Sequence, residues 1–97
     1  MKNTIKKVQA MVNALSNLNE SIEAYKESAQ NDIDYNESEV AKRTEELHEI
    51  HKDADSEELA DIIRNDWLLR DYQARLENAT FQLGAYEEIQ STLIKLL

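Results

Sequence analysis

The residues best suited to chemistry in this chain are Glu45, His48 and His51. Glu45-x-x-His48 has the spacing that holds metal in helical di-metal proteins, where two such motifs and further carboxylates converge from separate helices. This sequence has one copy, and His48 and His51 are its only histidines. A lone pair of histidines on an acidic helix reads as solvated side chains beside a packing seam, so no metal ligand is assigned. The chain has no Cys, which removes disulfides, thiolate metal sites and a thiol nucleophile. With Gly84 as the only glycine there is no phosphate-cradling loop and no Gly-x-Ser-x-Gly turn. Carboxylates are so numerous that spacing selects none of them as an acid/base pair. These observations lead us to expect a protein that is not an enzyme, with no catalytic residue, no metal and no cofactor.

What remains is the chemistry of recognition. The formal net charge is −9, and it is unevenly spread. Residues 1–19 hold three lysines and no acid, residues 20–66 hold sixteen acids and five bases, and residues 67–97 hold four acids and three bases. Direct binding of DNA or RNA needs a basic footprint, and the middle of this chain is the opposite, so no direct nucleic-acid contact is expected. An acidic middle favours a basic protein partner, or serves solubility alone. The partner-binding candidates are Asp32, Asp34, Glu37, Glu39, Glu45, Glu46 and Glu49, joined in the alternative reading that follows by Asp53, Asp55, Glu57, Glu58 and Asp61. Rows of carboxylates on a rigid rod also imitate the phosphates of duplex DNA, which makes an acidic inhibitor of a nucleic-acid-binding protein or nuclease the alternative reading. Trp67 stands apart. It falls opposite the packing seam beside Arg64, Asp66 and Arg70, where it either covers a further helix or anchors a partner.

The elements that must position these residues are helices. Pro is absent, the turn-forming glycine is nearly absent, and Ala, Leu, Glu, Lys, Gln and Arg are abundant. The fold class is all-α, in one domain over residues 1–97. No run of apolar residues is long enough to cross a membrane, and the lysine-bearing N-terminus lacks the apolar core of a secretory signal; a cytoplasmic protein with no membrane partner is expected.

Apolar spacing sets the arrangement. Over Val8–Ala29 the residues Val8, Met11, Leu15, Leu18, Ile22, Tyr25 and Ala29 step alternately by three and four, which is the repeat of a coiled-coil seam. The pattern then slips, because Ile33 follows Ala29 by four where three is due, before Val40 and Leu47 resume. Such a stutter locally unwinds a coiled coil. The segment Asn31–Ser38 is poor in helix formers, and Asn36 with Glu39 three residues on suits a new N-cap. Helix 1 is thus expected over about 3–30, a kink or break over 31–36, and a continuation over about 37–53. A turn is expected at 53–56, with Asp55 or Ser56 as the cap of the next helix.

From Ser56 to Leu97 the spacing predicts one long helix. One row is Ile62, Leu69, Leu76, Leu83, Gln90 and Leu97, and the other is Asn65, Tyr72, Ala79, Tyr86 and Leu93. Tyr25, Tyr72 and Tyr86 fit the seam as packing residues whose hydroxyls reach its rim. Asn65 and Gln90 are polar seam residues of the kind that fix register and partner number. Such a helix is about 60 Å long, too long for a compact globule of this mass. An elongated antiparallel helical hairpin with coiled-coil-like seams follows, with a three-helix bundle as the alternative. Apolar residues flanking the seams make the hairpin a self-associating one, a homodimer or larger.

In outline this is similar to the small helical-hairpin proteins exported by Gram-positive type VII systems. Those carry Trp-x-Gly at the turn, where this chain has Asp53-Ala54-Asp55-Ser56. Their C-terminal signal has an acid four residues after a tyrosine, where Tyr86 is followed by Gln90. No family is assigned. The functional expectation is a non-enzymatic protein–protein interaction module that binds and modulates another protein.

Overall fold

The computed structural model describes residues 2–96. Three helices follow in order: α1 (Lys2–Ile50), α2 (Ser56–Asn65) and α3 (Trp67–Leu96), with no strand among the described residues. The molecule measures 79 × 16 × 16 Å and has a radius of gyration of 22.0 Å. A compact chain of this length has a radius of gyration of about 12.5 Å. The fold is therefore an elongated all-α hairpin, not a three-helix bundle. One arm is α1, the other is α2 followed by α3, and residues 51–55 form the turn between them.

Helix α1 runs through residues 31–36 without a break. The inward-facing residues explain why. One buried or half-buried row is Leu15, Ile22, Ala29, Asn36 and Arg43, spaced by sevens. The other is Asn19, Lys26, Ile33, Val40 and Leu47, again by sevens. Taken together they alternate four and three with no slip. The apparent stutter at Ala29–Ile33 arises from following Met11, Leu18 and Tyr25, which are exposed, in place of Asn19 and Lys26, which are not. Tertiary packing along this continuous seam outweighs the weak helix propensity of Asn31–Ser38. Asn36 is accordingly no cap. It is 6% exposed, and its Nδ2 donates to the Asp32 carbonyl oxygen at 2.7 Å, one turn back.

The turn comes slightly earlier than the spacing predicts. The Ala54 N–H donates to the His51 carbonyl at 3.0 Å, and α2 begins at Ser56. Asp55 is the cap: its Oδ1 accepts from the Glu58 N–H at 2.8 Å. Glu57 and Glu58 in the first turn lie at the positive end of the helix dipole.

The second arm departs from the single helix expected over 56–97. Asp66 leaves helical geometry, with φ −70° and ψ 115°, and separates α2 from α3. Its Oδ2 accepts from the Leu69 N–H at 2.9 Å, so the same residue that ends α2 caps α3. Asn65 is exposed and bonds only its own helix, through the Asp61 carbonyl at 2.9 Å. Leu97, the last residue of the expected seam row, lies outside the described residues.

The core is a narrow strip between α1 and α3. Ile22, Ala29, Ile33 and Leu47 meet it from one side, and Leu69, Ala79 and Leu93 from the other. Leu69 is the most deeply buried, at 1% exposure. Tyr72, Leu76, Leu83 and Tyr86 are half-buried along the same face of α3. No residue of α2 is buried. Helix α2 is short and amphipathic, and its apolar packing comes from half-buried Leu59, Ile62 and Ile63.

Candidate interaction surface

Polar groups divide the seam into two stations. Near the open end Gln90, 9% exposed, accepts from Lys26 Nζ at 2.7 Å through Oε1. Its Nε2 donates to Asn19 Oδ1 at 3.2 Å and to Glu23 Oε1. Glu23 lies 3.7 Å from Lys26 Nζ. A buried glutamine whose donor and acceptor are both used pins the lengthwise register of α1 against α3.

Near the turn Arg43 grips Asp66. Nε donates to Oδ2 at 2.9 Å and Nη2 to Oδ1 at 2.8 Å, a two-pronged pair that also reaches Glu46 through Nη1 at 3.3 Å. The Arg43 and Asp66 side chains are 22% and 11% exposed, so the pair is largely out of water. The guanidinium, helped by the Leu69 N–H, holds the Asp66 carboxyl down at about 2. The carboxylate in turn raises the Arg43 pKa further. One side chain thus ends a helix, starts the next and ties both to α1. Arg43 and Asp66 were not candidates on sequence grounds, nor were Asn19 and Lys26. For Asn19, Lys26 and Arg43 the signal was present, because they complete the heptad rows of α1 once polar residues are admitted to them; Asp66, between α2 and α3, lies outside those rows.

The aromatic residues split. Tyr25 stacks on Tyr86 across the hairpin, ring centroids 5.6 Å apart and 22° between planes, with Tyr25 still 56% exposed. Burial, and then the Glu39 carboxylate, pushes the Tyr72 phenol up in pKa. Trp67, the first residue of α3, is 75% exposed and covers no helix.

The acidic candidates surround α1 without converging. Asp32, Asp34, Glu37, Glu45, Glu46 and Glu49 are exposed and Glu39 is half-buried. With 3.6 residues per turn they spread round the whole solvent side of the helix. Asp34 accepts from Gln30 at 3.0 Å and Glu46 from Arg43; both bonds lie within α1. Of the acids around and after the turn, Asp55 is occupied as a cap and Asp61 pairs with Arg64 at 2.9 Å. His48 is exposed and His51 half-buried. No group of three or more metal-binding side chains is gathered among the described residues. No described helix is long and apolar enough to cross a membrane.

The apolar candidates of early α1 are not part of the core. Val8 is 53% exposed, Met11 65% and Leu18 49%, whereas Leu15 is half-buried and Ile22 buried. The stripe expected over Val8–Ala29 is thus divided lengthwise. Leu15, Ile22 and Ala29 face α3, whereas Met11, Leu18 and Tyr25 flank that row and stay exposed, Tyr25 with one face against Tyr86. Comparison of the chain with protein-family models, with curated proteins and with solved structures finds no match.

Proposed function

We propose that this chain is a non-enzymatic, self-associating helical interaction module that binds and modulates another protein, a basic one. The observation that carries the reading is the apolar stripe Met11, Leu18 and Tyr25, which lies along the flank of the seam and stays largely exposed in the single chain, as does Val8 on the neighbouring row. An uncovered apolar stripe at helical spacing is what a further helix packs on. The acidic remainder supports the choice of a basic partner, since carboxylates spread round a rod attract cations from any side. Trp67, exposed at the start of α3, supplies a large anchor of the kind that dominates interface energies. The test is absolute mass by light scattering after size exclusion, at two concentrations. A dimer or larger is expected. A monomer at both would overturn self-association.

The straightness of α1 supports a second reading, an acidic inhibitor that occupies the nucleic-acid cleft of a binding protein or nuclease. Its carboxylates line an unbroken helix of 49 residues in a molecule 16 Å across. Inhibition would vanish by about 0.5 M salt, where the screening length is only a few ångströms. Changing the acids of Asp32–Glu49 to their amides would abolish it and leave the helix content intact. Inhibition that survived both treatments would sink this reading.

A further inference from the structure

On the side away from its seam, α3 carries a face that no part of the chain covers. Trp67 and Phe81 are each 75% exposed, more than any other large apolar side chain among the described residues. They share one row with exposed Ala74 midway between them, spaced by sevens and about 21 Å from end to end. Beside it runs the row Arg70, Glu77 and Gly84, again by sevens and all exposed. Arg70 and Glu77 join none of the ion pairs among the described residues, whereas their neighbours Asp71 and Arg75 bind each other at 3.0 Å. The space over Gly84 is open in the single chain.

The two rows complement each other when the helix is turned end for end. Arg70 follows Trp67 by three residues, and Gly84 follows Phe81 by three. Two copies of α3 laid antiparallel with Trp67 over Gly84 of the other copy therefore bring Arg70 level with Phe81 of the other copy. The indole enters the space left by the missing side chain, and the guanidinium lies on the phenyl face. Glu77 of the other copy is one turn from that guanidinium. Each contact occurs twice about a twofold axis midway between Ala74 and Glu77, as a self-complementary interface requires.

Charge points to the same occupant. Residues 67–97 hold four acids and three bases, against sixteen acids and five bases over residues 20–66. A basic protein is drawn to α1 and the turn, not to this near-neutral face. A second acidic rod meets the least repulsion here. Docked through α3, the two α1 arms stand on the outer sides. At about 8–10 Å between neighbouring axes they are roughly 25 Å apart, well beyond the screening length of about 8 Å.

We infer that the outward face of α3 is a homodimer contact, covered by α3 of a second copy in antiparallel register with Trp67 against Gly84. The inference rests on the self-association proposed above, and it leaves α1, with its stripe and its acids, to the other protein. The overlap from Trp67 to Gly84 is about 27 Å long, so the contact is small and the dimer concentration-dependent.

Trp67 is the only tryptophan, so its fluorescence reads this contact directly. As the intact chain is concentrated, the emission should move to shorter wavelength in step with the doubling of mass in light scattering. Gly84→Gln puts a good helix former where the single chain has open space. It should keep or raise the helix content and weaken dimerisation by roughly tenfold or more. Trp67→Ala should weaken it as much. Met11→Asp, at a 65% exposed site on the α1 stripe, should leave the dimer unchanged. A dimer that forms without any shift of the Trp67 emission would overturn the α3 contact while self-association stands. So would a dimer that Met11→Asp disperses and Gly84→Gln does not. A monomer up to roughly millimolar concentration would overturn both.

Discussion

Two residues sit in environments that their types do not suit, and each yields a measurable consequence. Asn36 is buried in the seam with its Oδ1 unpartnered, while its Nδ2 shares a carbonyl already used by the helix. A buried polar atom without a partner costs on the order of 1–3 kcal/mol. Asn36→Leu should therefore raise the free energy of unfolding by about 1 kcal/mol in urea titration, at some loss of register specificity. No change, or a loss, would mean that a polar group satisfies Oδ1 in solution. Gly84 is the opposite case. A Cβ built there meets nothing within 4 Å, so neither close approach nor backbone strain requires glycine. Gly84→Ala should stabilise by about 1 kcal/mol from helix propensity alone. In a domain of this size that is a rise in melting temperature of roughly 4–8 °C.

At the scale of elements, the decisive feature is the interruption at Asp66. Its carboxylate caps α3 and binds Arg43 while the backbone turns, so the kink, the cap and the contact with α1 are one structure. The folded pKa of about 2 lies below the ordinary 3.8, which gives the sign of the pH effect. The contribution is complete above the ordinary value and is lost as pH falls from there towards 2. Thermal melts of the wild type and Asp66→Asn should differ at pH 7, the variant melting lower, and should converge near pH 2. A constant gap would show that the charge of Asp66 is not what the fold uses. This interruption was invisible in the apolar spacing, because Ile62, Leu69 and Leu76 keep a helical period straight across it. Spacing reports which faces are apolar, not whether the backbone is continuous between them. Asp55 was legible because a cap followed by two glutamates is a local signal. The rows of α3 from Leu69 to Leu93 were legible as well, being apolar apart from Gln90. The rows of α1 were half legible. Where the seam is made of Asn19, Lys26, Asn36 and Arg43, hydrophobic periodicity follows the exposed stripe instead. Among the site candidates, sequence placed the acids and Trp67 at the surface but carried no sign that the acids encircle α1 without gathering.

At the scale of the whole molecule, a thin core must hold a long charged rod. Only seven apolar side chains are buried among the described residues, and none belongs to α2. Against this narrow strip stands a net charge of −9, most of it on the two arms next to the turn. Three of the ion pairs, Lys26–Glu23, Arg64–Asp61 and Arg75–Asp71, link residues three or four apart within one helix and so do not hold the arms together. Exposed pairs of this kind contribute only a few tenths of a kcal/mol each. Arg43–Asp66 is the ion pair that bridges the arms, and it is largely shielded from solvent. Long-range repulsion among the acids therefore outweighs the exposed local attractions, and salt should act mainly on the repulsion. Raising ionic strength from about 0.01 M to 0.15 M shortens the screening length from about 30 Å to 8 Å, less than the width of the rod. The melting temperature should rise over that range, measured at a concentration where the chain is monomeric so that association does not contribute. The rise should shrink when the acids of Asp32–Glu49 are changed to their amides, because the repulsion being screened is then largely gone. A fall in melting temperature with salt would instead mean that the polar stations of the seam, Arg43–Asp66 above all, outweigh the repulsion along the rod.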